Sequence, residues 1–233
     1  KDMSCSSCHA SWSSRCIGCH NEYNPKEERA FDLLDRAYGK GQWQELVAEF
    51  SSAPPSMGVR FQDEKRHIEP AIPGMILTID HSSFSGNPDD NTSFHRLYAP
   101  NSPHTIQSKS RDCASCHLDP LAIGYGMGIL EYVIENGAGT WMFIPDYAPN
   151  ENDGLPEDSW IPFLQEYTVD KVSTRTNFRP FNLAEQKRIL RVGACLSCHT
   201  SDSAQMQESL VMGLGKVMDK MSKNCILPTW KKE

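Results

Sequence analysis

Cys5-Ser6-Ser7-Cys8-His9 and Cys16-Ile17-Gly18-Cys19-His20 begin eleven residues apart near the start of the chain. The same pattern returns at Cys113-Ala114-Ser115-Cys116-His117 and at Cys195-Leu196-Ser197-Cys198-His199. Two thiols three positions apart can each add across one vinyl group of a haem, and the adjacent imidazole is then held beneath the iron. With nine cysteines and eight histidines in 233 residues, the pattern is expected by chance on the order of 0.01 times. Four copies therefore point to four haem c groups, each with its iron. A zinc ribbon also pairs C-x-x-C knuckles, and the first two pairs are close enough to share one metal. It does not require a histidine after every pair, and the other two pairs lie far apart in sequence. On spacing alone, a disulfide framework or a thioredoxin-like dithiol fits less well than haem.

Outside the motifs, the histidines are His67, His81, His95 and His104. Four irons with two axial imidazoles each need eight, so bis-histidine ligation is the simplest reading, with His9, His20, His117 and His199 as proximal ligands. The bland reading makes some of the four ordinary surface histidines, because Asp63–Lys65 and Ser82–Ser93 look solvated. Methionine is the competing distal ligand. Met206, Met218 and Met221 recur at helical spacing with Leu210, Leu214 and Val217, which reads as core packing. Met3, Met57, Met75, Met127 and Met142 stand in less periodic contexts and remain minor candidates.

Thirty acidic against 23 basic residues give a formal charge of −7, a poor electrostatic footprint for nucleic acid. No stretch approaches the roughly 20 apolar residues of a spanning helix, and the mean hydropathy is −0.51, so a membrane-spanning protein is not expected. The length allows one or two domains, and the motif layout favours a single haem-organised unit over 1–233. Within it, 1–20 carries two adjacent haem sites and 113–233 two further sites with C-terminal helices. Residues 21–112 hold no attachment motif but every spare histidine, and read as a ligand-donating wrap.

The expected fold is mainly α, with extensive irregular loop and little sheet. One helix is expected to open at Asn24-Pro25, line Phe31, Leu34 and Tyr38 on one face, and end at Gly39. A second should run from Gln42 to Phe50. Ala71–Asp80, which contains Met75–Ile79, reads as a short strand or extended segment, and Ser82–Pro103 as loop. Asn182 and Glu185 form a capping pair opening a helix into the fourth motif, and a final helix spans Ser203–Lys220. Glycines in Gly124–Gly128 are expected to let backbone pass close to a haem face, since the lysine of a phosphate loop is missing. Asn150–Gly154 reads as a solvated turn, its spacing being wrong for calcium. Cys225 is expected to be a small buried side chain beside Ile226 and Leu227, the alternative being a surface thiol or an intermolecular disulfide. The chain starts at Lys1 with neither methionine nor an apolar leader, so a signal peptide removed, or further chain upstream, is expected.

The four motifs resemble those of the multihaem c-type cytochromes, electron-transfer proteins of anaerobic and metal-respiring microbes. The resemblance is strong at the motifs and weak between them, although Ser102-Pro103-His104-Thr105 ahead of Arg111–His117, and Ser11-Trp12 between the paired motifs, are similar to segments of large cytochromes of that kind. It implies a periplasmic or extracellular location, since haem is attached outside the cytoplasm. It also implies other redox proteins as partners, in a shuttle, a respiratory complex or an extracellular filament of like subunits. In such a homopolymer a spare histidine could ligate a neighbour's haem. The rival reading is a multihaem reductase of a small nitrogen or sulfur oxyanion. That chemistry needs an open iron position, whereas the spare histidines match the spare coordination sites.

Overall fold

The computed structural model describes residues 2–11, 13–17, 21–28, 36–45, 48–51, 54–81, 87–89, 92–101, 105–168 and 176–230. More of these lie in strands than in helices, which overturns the expectation of a mainly α fold with little sheet. The main sheet is built on β7 (Lys65–Asp80), whose first half pairs antiparallel with β6 (Ser56–Gln62) and whose second half pairs antiparallel with β8 (Thr92–Pro100). β1 (Asp2–Met3) joins β7 in parallel, and β11 (Phe178–Arg179) extends the sheet beyond β6. Asp63 and Glu64 connect β6 to β7 with φ of 50° and 60°. That is the left-handed geometry of a two-residue turn whose twist matches its strands.

Among the described residues, three two-stranded ladders accompany this sheet. β2 (Ser13–Ile17) pairs with β5 (Ala48–Ser51), and β3 (Asn21–Glu28) pairs with β4 (Lys40–Glu45). These strands replace the helices expected from Asn24 and from Gln42; Phe31 and Leu34 lie outside the described residues, and Tyr38 is exposed. The register sets Tyr23 opposite Trp43, a pairing of strand-favouring residues that local capping signals do not reveal. The third ladder joins β9 (Gly128–Glu135) to β10 (Ala138–Pro145) through Asn136-Gly137, both at positive φ.

The extended segment expected at Ala71–Asp80 is part of the longer β7, whereas the expected loop contains β8. Along β8, Phe94, Arg96 and Tyr98 are buried while Ser93, His95 and Leu97 are half-buried, the period of two that a strand imposes. Tyr98 stacks on the fully buried Trp160 with ring centroids 3.5 Å apart, and Trp160 stacks in turn on Phe178 at 5.7 Å. Gly58 lets these rings approach β6, since a Cβ there would stand 2.8 Å from Trp160 Cη2.

Arg96 is the only charged residue among the fully buried side chains of the described residues, 1% exposed. Its Nε and Nη2 donate to the Asp153 carboxylate at 2.6 and 2.8 Å. Nη2 also reaches Leu155 O, and Nη1 reaches the carbonyls of Pro156, Glu157 and Ser159. The stretch expected as a merely solvated turn thus supplies the counter-ion of a buried cation. Removing one partner of such a pair leaves an uncompensated buried charge or a set of orphaned acceptors. Arg96→Met should cost about 3–5 kcal/mol, read as a lowered thermal midpoint together with new proteolytic cleavage within 150–161.

Candidate functional site

The first motif is a single helical turn, α1 (Cys5–His9). Ser4 caps it by accepting from Ser7 N at 3.3 Å, and the buried Ser7 hydroxyl donates to Ile68 O at 2.8 Å, so the turn is seated on β7. Cys5 is exposed and Cys8 half-buried. His9 Nδ1 donates to Gln107 O at 3.0 Å.

Residues 105–111 run back along this turn. Ser11 N donates to Thr105 O, Gln107 N to His9 O and Arg111 N to Cys8 O, at 2.7–2.8 Å. The Arg111 guanidinium adds bonds to Ala10 O and Ser11 O, both at 3.1 Å. The third motif follows at once, with its helix α2 (Ala114–His117) held at its start by the Asp112 carboxylate, which accepts from Ser115 N at 2.8 Å, and a further turn, α3 (Pro120–Ile123), comes next. Motifs one and three are therefore neighbours. Burial pushes the Cys8 thiol up, and Cys113 and Cys5 add to the effect. Cys116 is pushed up to about 11, first by burial and then, against the Ser115 hydroxyl, by Asp119 and Cys8. For the second motif, Cys16 lies on β2, while Cys19 and His20 fall outside the described residues.

The helix predicted from the capping pair is present as α4 (Leu183–Leu196). Asn182 Oδ1 accepts from Glu185 N at 2.9 Å and Glu185 Oε2 accepts from Asn182 N at 3.0 Å, a reciprocal box. Arg179, on β11, adds a bidentate pair to Glu185 at 2.6 and 2.9 Å. α4 packs on α2 through Gly193, where a Cβ would come within 2.7 Å of His117 O and 3.1 Å of Trp141 Cζ2. Trp141 Nε1 donates to Leu190 O at 3.1 Å, and His117 Nδ1 donates to the preceding carbonyl, Ile189 O, at 3.0 Å.

A carbonyl can only accept, so Nδ1 of both His9 and His117 carries the proton. Burial holds His117 below the usual imidazole range, with the Ile189 bond opposing, so its ring is neutral at pH 7 and Nε2 keeps its lone pair. This is the tautomer of a metal-ligating histidine with its other nitrogen fixed by an outer partner. Beside it lies a cavity of about 300 Å³ lined by Val59, Ile68, Phe181 and Val192, with Arg66 and Arg188 contributing charge.

The fourth motif is the C-terminal end of α4. His199 N closes the last turn onto Cys195 O at 2.9 Å. Cys195, Cys198 and His199 line a second cavity, of about 530 Å³, with Tyr132, Met206 and Val217 among its walls. Ile189 and Cys195 are six residues apart on one helix, about 9 Å along its axis, so α4 carries the anchor of one motif and the thiol of the next.

The spare histidines are not gathered at these cavities. His67 sits on β7 opposite Arg60, between Arg66 and Ile68 of the first cavity, and strand alternation puts it on the other face. His95 is on β8 opposite Leu77, and His81, exposed, meets Ser93 Oγ through Nε2 at 2.7 Å. His104 lies outside the described residues. Three further expectations are corrected. Cys225 is exposed and lines the second cavity instead of being buried. The helix expected over Ser203–Lys220 is two, α5 (Ala204–Met212) and α6 (Leu214–Met218), broken at Gly213 with φ +85°. Gly126 makes its close approach to the Asp158 carboxylate, whose Cγ would stand 2.9 Å from a Cβ, so protein fills the place expected for a cofactor face.

Among the described residues no three His, Cys, Asp or Glu side chains converge as ligands of a bare ion would, and seven cysteines there are free thiols. No described helix is long and apolar enough to cross a membrane. Comparison with family models, with curated proteins and with solved structures found no match to the chain. The donor set fits haem c: free thiols three positions apart, at the third motif a neutral imidazole with Nε2 uncommitted, and apolar space lined by His117 at one site and by Cys195, Cys198 and His199 at the other. The sequence reading missed the carbonyls of Gln107 and Ile189 and the role of Gly193. A backbone acceptor carries no residue signature; a glycine inside an otherwise good helix was the one available signal.

Gly193→Ala should destabilise the fold by about 1–3 kcal/mol through overpacking, where the same change on an open helix face stabilises by about 1 kcal/mol; chemical denaturation measures the sign. Burial alone would raise the Glu185 carboxyl, but Arg179 and the Asn182 amide outweigh it and hold it below its ordinary 4.5. A depressed folded-state value means stability present above pH 4.5 and lost as pH falls through the folded value. The stability gap between wild type and Glu185→Gln should therefore be full at pH 7 and close progressively below about pH 4.5.

Proposed function

We propose that this chain is an electron-transfer protein with four covalently attached c-type haems, one at each C-x-x-C-H segment. The observation that carries the reading is the His117 ring, its Nδ1 proton tied to Ile189 O and its Nε2 uncommitted, directly after two free thiols. Each thiol would add across a vinyl group, sulfur to one carbon and hydrogen to the other, with no change in electron count. When bound, the group supplies a one-electron Fe(III)/Fe(II) couple.

The residues of this chain do the rest. His9, His20, His117 and His199 serve as proximal ligands, and His67, His81, His95 and His104 are the imidazoles available for sixth positions. Were each iron held by two such side chains, no position would be left for a substrate, which favours a carrier over an enzyme. α4 carries both the carbonyl that holds His117 and the first thiol of the fourth motif, so one helix joins the third and fourth sites. The partners are other redox proteins or further copies of this chain, at the periplasm or the cell surface.

Denaturing mass spectrometry of the exported protein should show the polypeptide plus four haem masses, retained through acid-acetone extraction. Cys113→Ala with Cys116→Ala should lower the count by one. Fewer than four haems on the unmodified chain refutes the count.

A further inference from the structure

The cavity at the fourth motif differs from the one beside His117 in what faces it. Among the described residues neither cavity is lined by a second histidine, but only the one at the fourth motif is lined by methionines, Met206, Met218 and Met221, together with Cys195, Cys198 and His199. Gly213, at φ +85°, turns α6 back toward α5, and the two helices pack together beside the motif. Met206 is buried at 4% exposure, while Met218 and Met221 are half-buried on the cavity wall. Cys225 also lines the cavity but is exposed.

The periodicity that makes these methionines look like core therefore has a second consequence: it points three thioethers at one space. A thioether is uncharged and soft, so an apolar cavity imposes no desolvation cost on it, and methionine's unbranched side chain adapts its reach without backbone movement. Thiolate ligation by Cys225 would place a charge against Leu214, Val217 and Ile226.

We propose that the haem of the fourth motif is ligated by His199 and by the thioether of Met218 or Met221, unlike the other three. The inference rests on the haem reading of the motifs. Thioether ligation favours the ferrous state and raises the potential, so this haem is the one on which electrons collect.

The test uses the oxidised holoprotein with its haems attached. The ferric spectrum should carry the weak far-red charge-transfer band of thioether-ligated haem, at the intensity of one haem in four, and a redox titration should show one component well above the rest. Met218→His or Met221→His should abolish the band and lower that component while the protein stays six-coordinate. Met206→Leu, a volume-conserving change, should keep the band. Four attached haems without the band overturn the inference, as does a thiolate-type spectrum lost in Cys225→Ser or a band that survives in the Met218→Leu, Met221→Leu double variant. A haem missing from the Cys195–His199 peptide overturns the functional reading itself, which separates the two failures.

Discussion

The close contact between α2 and α4 is the constraint on which the site depends. A four-residue helix cannot hold its own conformation in water. α2 keeps its place because Gly193 lets its backbone approach α4 and because His117 hangs from Ile189 O. α4 in turn is fixed at its start by Arg179, which belongs to β11 and pairs with Val59 of β6. The sheet thus positions the histidine through one ion pair, one helix and one carbonyl. The first motif reaches the same sheet by a shorter route, through Ser7 and Ile68. Two motifs more than a hundred residues apart meet because both are anchored to the same sheet and residues 105–111 tie one to the other.

What could be read from residues alone was the chemistry that is local in sequence. The C-x-x-C-H pattern contains its own two thiols and imidazole, and the capping box at Asn182 contains both of its partners within three residues. The environment of those groups could not be read. The acceptor for His117 lies 72 residues away and that for His9 lies 98 away, and both are backbone carbonyls that any residue type would supply. Arg96 sits between His95 and Leu97 in a stretch that looks like surface, and its counter-ion is 57 residues away.

The expectation of a mostly helical chain failed for a related reason. Asn24-Pro25 followed by Lys26-Glu27-Glu28 satisfies every local rule for a helix start, yet Asn21–Glu28 pairs with Lys40–Glu45. Strand pairing is a long-range decision, and it overrode a short-range preference. One sheet signal is local: Asn136-Gly137 between two apolar runs is a strong short hairpin marker, and both residues adopt the required positive φ.

The Arg96 corner has a consequence for how the molecule opens. All six of its acceptor contacts come from one short run, Asp153 to Ser159, and all converge on one rigid, planar cation. No carbonyl in that run can leave without exposing a charge that cannot be neutralised by losing a proton. Partial fraying is therefore worse than either full closure or full release. The run behaves as a latch with two positions, and because Trp160 follows it directly and stacks on Tyr98, release of the latch and loss of the aromatic stack are one cooperative event.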